Sequence, residues 1–467
     1  LQPSPAARAR KANGGQAASA PRISESAKGA QRDRLLAAII EIAAEKGYPA
    51  LTASEIIAHA RVSRSAFYAQ FQGKEDCFLA ALATIAERLL ADVRRAVSQA
   101  APERARIAAA DTLLSFAAAE QPDARLLLAG TLMGGSRSLD TRDELIARIA
   151  AIVDDRGFET TSNAAVEDLP TALLIGAVWR LLACSLNGGQ QELEGVRDDL
   201  LAWIESYESP RAKHRWQTIE SLPAPAPWLH LQPSPLRAPA PPPNGRARLS
   251  AQRLRENRRR RILFAAAEVI DRHGFQDTTV RQITRLAEVD GRVFYTMFAD
   301  KQQVLAEVND LLFGHVIAVT AGAFASGESW PERVWLASGA LTQSLQLNPT
   351  LTRVALLHSP AAGAATARRV ARLTNAFTIF LQEGYQQSLL ESAALPTTSS
   401  KVALEAITTT VVELVCRRAR AAEHPDLPGL SAHVAFIALA PFLGVRQAGS
   451  FVLERLAGRP VARSLAA

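Results

Sequence analysis

Apolar residues recur at helical spacing along most of this chain, and strand-like alternation is scarce. Leu35, Ile39 and Ile42 mark one face of a helix, with Gly47 as its stop signal. Ile262, Ala266, Val269 and Ile270, followed by Gly274, repeat that pattern. A second helix opens at Thr52-Ala53-Ser54-Glu55 and again at Thr279-Val280-Arg281-Gln282. Both read as capping boxes, in which the Thr hydroxyl and the Glu or Gln side chain each satisfy an orphan backbone donor. Ile56 and Ile283 then point at the core. After Ala60 or Ala287 a short turn carries Val62 or Val289, and Ser63 and Asp290 are predicted N-caps of a third, very short helix. Phe67 and Phe294 face inward in this reading, while Tyr68 and Tyr295 point elsewhere. A further helix begins near Lys74 and Lys301. The expected fold class is all-α.

The two sets of elements form one internal repeat at an offset of 227, from Gly47 to Gly274. Arg34 meets Arg261, Leu36 meets Leu263, Glu41 meets Glu268, Phe71 meets Phe298 and Lys74 meets Lys301 without a gap. Between the copies, Pro210, Pro223, Pro225, Pro227, Pro233, Pro235, Pro239 and Pro241-Pro242-Pro243 cannot propagate a helix. This stretch is expected to be a semi-extended spacer, with Trp216, Trp228 and Leu231 docking part of it on a domain. The predicted organisation is a disordered tail (1–30), a DNA-binding domain (31–78), a helical regulatory domain (79–208), the linker (209–250), a second DNA-binding domain (251–305) and a second regulatory domain (306–460).

Charge narrows the choice of partner. Lys and Arg number 53 against 46 Asp and Glu, a net charge of +7, which favours nucleic acid or anionic surfaces. Cys77, Cys184 and Cys416 are odd in number and far apart, as expected for reduced thiols in a cytoplasmic protein. The apolar run Ala172–Leu186 is too short to span a bilayer and carries Arg180, so no membrane partner is expected. The Ala/Pro/Ser-rich stretch 1–28 does not read as a secretory signal. The histidines, among them His59, His273 and His358, lack ligand spacing, so neither a metal nor another cofactor is expected. No nucleophile elbow, Walker loop or dinucleotide fingerprint occurs, so no catalytic residues are nominated and the chain reads as a non-enzyme.

A short capped helix, a tight turn and a second short capped helix on a supporting first helix is the helix-turn-helix plan. The stretch Thr52-x-x-x-Ile56 … Val62-Ser63-x-x-x-Phe67-Tyr68-x-x-Phe71-x-x-Lys74 resembles the DNA-binding signature of the TetR family, and Thr279 to Lys301 repeats it. The resemblance covers about residues 32–82 and 259–309. It implies that Tyr68, Tyr295, Lys74 and Lys301 contact phosphate, and a cation beside a helix N-terminus suits an anion. Thr52, Ser63, Arg64 and Ser65 in the first copy, with Thr279 and Arg292 in the second, complete the candidate DNA-binding set. Arg64 is suited to guanine. Two departures stand out: the usual Gly before the signature valine is Arg61 or Glu288, and the usual small residue in mid-helix is Ser65 in one copy but Arg292 in the other. Upstream of the second copy, Arg246, Arg248, Arg253, Arg255, Arg258, Arg259, Arg260 and Arg261 are expected to form a basic arm for phosphates or the minor groove.

The resemblance also implies a ligand-sensing core and a dimerising helix pair in each unit. The candidate pairs are Asp168–Leu186 with Glu192–Tyr207, and Lys401–Arg420 with Ser431–Leu456. Candidate pocket residues are Phe116, Leu127, Met133 and Trp179, then Trp335, Phe377, Phe380 and Tyr385. The expected protein is a ligand-responsive repressor that binds a double-stranded DNA operator and a small-molecule effector. Its two units either pair within one chain as a pseudo-dimer or pair with those of a second chain. The competing expectation is a helical scaffold in which one or both DNA readers have degenerated.

Overall fold

In the computed structural model, the residues described are 25–119, 121–157, 166–167, 169–188, 193–209, 215–222, 233–241, 250–390, 401–422 and 424–457. Most of the predicted tail, together with Trp228, Leu231, Arg246 and Arg248, lies outside them. The described chain is helical apart from connecting loops and one antiparallel pairing of Val166–Glu167 with Glu208–Ser209, so the all-α expectation holds.

The first unit opens with α1 (Glu25–Lys46), α2 (Ala53–Ala60) and α3 (Arg64–Tyr68), followed by the long α4 (Lys74–Gln99). Leu35, Ile39, Ile56, Phe67 and Phe78 are buried where these helices meet. Helix α1 starts inside the expected tail, at Glu25. Gly47 stops it at φ +78°, a conformation that favours glycine. The first unit continues with α5 (Ala105–Ala119), α6 (Ser136–Gly157), α7 (Thr171–Gly188) and α8 (Leu193–Glu205).

The second unit repeats the order with α9 to α11 as its DNA-binding helices: α9 (Ala251–Asp277), α10 (Val280–Leu286) and α11 (Gly291–Tyr295). There follow α12 (Lys301–Phe324), α13 (Trp330–Leu347), α14 (Ala364–Asn375), α15 (Lys401–Ala421), α16 (Ser431–Leu443) and α17 (Val445–Leu456). Gly274 breaks α9 at φ +76°, as Gly47 ends α1. Helix α12 is long and apolar enough to cross a membrane by length and composition. Val304, Leu305, Val308, Leu312 and Phe313 nevertheless pack its apolar face into the core.

Each unit has a π-helical segment at a matching place, Arg125–Gly130 and Val354–His358. A π turn leaves carbonyls short of intrahelical donors. The Trp179 indole donates to the Leu128 carbonyl at 3.1 Å in the first unit, and the Ser359 hydroxyl donates to the Val354 carbonyl at 2.9 Å in the second. An arginine beside each segment reaches back to the DNA-binding domain. Arg125 Nη1 donates to the Ala44 carbonyl at 3.3 Å, whereas Arg353 forks onto the Asp271 carboxylate at 2.5 to 3.2 Å.

The units pack together through α7 and α8 of the first and α15 of the second. The Tyr207 hydroxyl donates to the Ile437 carbonyl at 2.9 Å across that boundary. Part of the linker docks. Trp216, on the short helix Arg215–Ser221, packs its ring at a tilt against His433 of α16 with centroids 4.4 Å apart, and the Leu236 amide donates to Asn348 Oδ1 at 2.8 Å.

Burial and the nearby Arg418 lower the pKa of His433 to about 4 from an ordinary 6.5. The unfolded imidazole is protonated below its ordinary value while the folded one stays neutral to about pH 4, so stability is complete above pH 6.5 and falls between 6.5 and 4. Urea unfolding at pH 7 and 4.5 is expected to show His433→Leu losing about 2 kcal/mol less stability than the parent chain on acidification. Equal losses would show that this imidazole is not the group responsible.

Candidate nucleic-acid interface

Both predicted capping boxes are formed. The Thr52 hydroxyl accepts from the Glu55 amide at 3.3 Å and donates to Glu55 Oε2 at 2.8 Å, while the Thr52 amide donates to the same oxygen at 2.9 Å. Lys46 holds Glu55 from the other side at 2.8 Å, and these bonds lower the Glu55 pKa to about 2. Thr279 and Gln282 make the same reciprocal pair. The hydroxyl protons of Thr52 and Thr279 are therefore already donated inside the cap, which differs from the expected role of both residues at DNA.

The turn between the two short helices requires a left-handed residue. Arg61 takes φ +52° and Glu288 φ +49°, at the positions where the family signature has glycine. A side chain there costs on the order of 1–2 kcal/mol. In the second unit Arg261, 9 % exposed, holds the turn by donating to the Glu288 carbonyl at 3.2 Å and pairing with its carboxylate at 3.3 Å.

The third helices are exposed on one side and anchored on the other. Phe67 and Phe294 are fully buried, while Ser63, Arg64, Ser65, Tyr68 and Ala69 face solvent, as do Asp290, Arg292, Tyr295 and Thr296. Ser63 Oγ accepts from the Ala66 amide at 3.1 Å, and Asp290 Oδ1 accepts from the Arg292 amide at 2.7 Å. Tyr68 is 48 % and Tyr295 62 % exposed, although an aromatic ring ordinarily seeks cover. The Arg64 guanidinium lies 5.7 Å from the centre of the Tyr68 ring, which joins the two polar tips on one face.

The two lysines are placed differently from the expectation. Lys301 Nζ donates to the carbonyls of Phe275, Gln276 and Thr278 at 2.8, 3.0 and 2.9 Å, and lies over the Phe275 ring at 4.5 Å. An ammonium has three protons, so all are engaged. Lys74 donates to Leu51 at 2.8 Å and Tyr48 at 3.4 Å, over the Tyr48 ring at 4.5 Å. Burial lowers both pKa values. Each lysine ties the start of the fourth helix to the loop after the first.

The predicted basic arm is also different. Ser250 caps α9, and Arg253, Arg255, Arg258, Arg259, Arg260 and Arg261 continue it as regular helix, because Ser250 Oγ accepts the Arg253 amide at 3.3 Å. Arg259 pairs with Glu307 at 2.6 Å and lies over the Phe298 ring at 5.4 Å, so it is part of the scaffold. Arg253 and Arg255 remain exposed. Arg281 and Arg285 on α10 are exposed cations that the sequence reading passed over. Their position one and two turns into a capped helix was the available signal.

The two DNA-binding domains lie side by side across a cleft of about 770 Å³. Lys46, Gly47 and Pro49 line it on one side, and Phe275, Gln276 and Lys301 on the other. Among the described residues no group of three or more His, Cys, Asp or Glu side chains is arranged to hold a metal.

The family model described as bacterial regulatory proteins, tetR family, matches residues 35–81 and 262–308. No curated protein matches the chain. Among solved structures it is similar to the transcriptional regulator FadR from Bacillus subtilis in complex with stearoyl-CoA. That match has 18 % identity, covers 39 % of this chain and 97 % of that one, and has a TM-score of 0.33. FadR from Bacillus halodurans matches at 20 % identity over 39 % and 94 %, with a TM-score of 0.32. A putative TetR-family regulator from Syntrophomonas wolfei matches at 16 % identity over 44 % and 99 %, with a TM-score of 0.30.

Replacing Arg61 by Gly relieves the left-handed strain at an exposed side chain. Its urea unfolding free energy is expected to rise by up to about 1 kcal/mol, after allowing for the extra freedom of glycine in the unfolded chain. An unchanged or lower value would show that the turn holds no strain.

Proposed function

We propose that the chain is a TetR-family transcriptional regulator with two tandem units, and that these units pair within one chain and present two unlike readers to an asymmetric operator. The supporting observation is the exposure of both third helices on firmly seated domains that face one another across a single cleft. Helix-turn-helix dimers place such helices about 34–36 Å apart, one turn of DNA, in successive major grooves. Arg64 and Ser65 read base edges in one half-site and Arg292 in the other, while Tyr68 and Tyr295 fix the register on phosphate. Lys74, Lys301, Thr52 and Thr279 act one step back by holding the helices in place.

DNA is released when an effector enters the second regulatory domain. A cavity of about 100 Å³ lies there, walled by Val334, Leu341, Phe377, Phe380, Val411 and Val415. Its hydroxyls are turned away from the space: Ser338 donates to Val334, Thr320 to Val316, and Thr408 to Leu404 and Glu405. Such a space suits an uncharged, hydrocarbon-like group, since an apolar cavity of about 150 Å³ accepts benzene. Of the candidate pocket residues, Phe377 and Phe380 line this cavity and Met133 lines a separate cavity between the units. Trp335 and Tyr385 do not line it. Phe116, Leu127 and Trp179 are buried in the first unit's core, and the Trp179 indole is fixed on the π segment. Leu356, within the second π segment, lines the cavity two residues from His358, which stands 3.6 Å from Asp271 of the DNA-binding domain. Repression is the mode expected of this arrangement, because an effector that displaces the π segment disturbs the seat of the reader.

Selection of binding sites from random DNA is expected to return one asymmetric sequence. Arg64→Ala should change the preference in one half-site only, and Tyr68→Phe should weaken binding to all sequences alike. Recovery of perfect palindromes alone would contradict the proposal. For the effector site, benzene is expected to raise the melting temperature of the parent chain but not of Ala438→Phe, whose ring fills the cavity.

A further inference from the structure

The pairing surface carries two charge clusters, one with its acid on the second unit and the other with its acids on the first. Glu413 of the second unit is fully buried. Its carboxylate accepts from Arg142 at 2.8 Å and from Arg180 at 3.0 and 3.1 Å, both of the first unit, and from Arg417 of its own helix at 3.0 Å. Burial alone would raise its pKa, but Arg142, Arg180 and Arg417 hold it below the usual carboxylate range. Gly176 of the first unit makes room, since a Cβ there would stand 2.6 Å from Glu413 Oε1. Nearby, Arg420 of the second unit donates to Asp143 at 2.6 Å and to Asp140 at 2.5 Å, both of the first.

The repeat shows what each unit has in place of the other's charges. The left-handed glycines Gly135 and Gly363 set an offset of 228 in this region, and Cys184 and Cys416 set one of 232 on the pairing helices α7 and α15. In these registers the second unit has Val370 and Val412 where the first has Arg142 and Arg180. The first has Leu181 where the second has Glu413, and Gly188 where the second has Arg420. The second has Arg368 where the first has Asp140. The fold agrees with that correspondence. Leu181, Val370 and Val412 line one cavity between the units, together with Arg180, Arg368 and Glu405. Arg368 donates to the carbonyl of Asn187, beside Gly188.

We propose that these clusters make the pairing surface accept an unlike partner only, so that the first unit fits the second and neither fits a copy of itself. Two first units would bring together two Arg142–Arg180 pairs with Leu181 at the place of the acid. Two second units would bury two Glu413 carboxylates against valines and set Arg420 beside Arg368. Either like pair leaves buried charges short of partners, since Glu413 keeps only Arg417 and Arg142 only Asp143, and a buried ion that loses a partner is strongly destabilising. The proposal rests on the intrachain pairing described above and adds the residues that enforce it.

The test begins with the intact chain. If it sediments as a dimer, the intrachain reading fails. If it is a monomer, a protease site inserted in the linker between Pro243 and Asn244 allows the halves to be cut, diluted apart, reconcentrated and weighed by native mass spectrometry. Unlike pairs are expected to exceed like pairs on the order of 100-fold or more. The triple variant R142V/R180V/E413L, which installs on one side the apolar trio of the other, is expected to keep only the smaller preference that Arg420 with Asp140 and Asp143 supplies. Like pairs from the parent halves, or an unlike preference undiminished in the triple variant, would overturn the proposal while leaving intrachain pairing intact. If the separated halves do not refold, the intact chain still decides the matter. Arg420→Glu should lower the melting temperature and D140R/D143R/R420E should restore it, and failure to restore it would overturn the proposal.

Discussion

A carboxylate taken fully out of water is among the most costly groups a protein can bury, and Glu413 is tolerated only because three guanidinium groups surround it. Two of those arginines come from the other unit. The second unit's pairing helix therefore cannot be in its native environment unless the first unit is in place. The placing of the DNA-binding domains depends on this contact, because each regulatory domain carries its reader and the pairing surface orients the two carriers. The mutual dependence also accounts for the docked linker. Trp216 and Leu236 bind surfaces of the second unit, which fixes the connecting chain on it at two points.

Each DNA-reading domain stands on a few reciprocal local bonds. The capping boxes fix the start of the second helix, the buried phenylalanine fixes the roll of the third, and the lysine at the start of the fourth ties that helix to the loop after the first. A reading helix of five residues has no stability of its own, since isolated helices need roughly 12–15 residues. Its position is set entirely by these supports. That is why Lys301 serves better as an internal brace than as a free cation, and why exposure concentrates in the tyrosine and the polar residues of the outward face.

The units are similar in plan but differently coupled. In the first, Arg125 meets one backbone carbonyl of the DNA-binding domain. In the second, Arg353 meets a carboxylate with two nitrogens, and His358 stands beside it. A forked charged contact is stronger and more directional than a single bond to a carbonyl. The second unit also holds the apolar cavity whose wall continues into the π segment at Leu356.

Local order was legible in the chain itself. The helices, their caps at Thr52, Ser63, Thr279 and Asp290, the glycine stops and the inward Phe67 and Phe294 depend on neighbours within a few residues, so spacing revealed them. Arg61 and Glu288 stood out as departures from the usual glycine, but their left-handed backbone came only with the structure. Contacts between distant segments were not legible. Lys74 and Lys301 read as phosphate ligands because nothing in the sequence shows which carbonyls lie over a helix start. The arginine-rich stretch read as a basic arm because its partners, Glu307 and Glu288, come from a later helix and a later turn. Trp179 read as a pocket residue because its carbonyl partner is freed only by a π turn. Sequence thus determined which elements form and where they end, whereas tertiary structure decided which charges are used up inside. Helix formation is governed by bonds between near neighbours, but the value of a charge depends on groups hundreds of residues away.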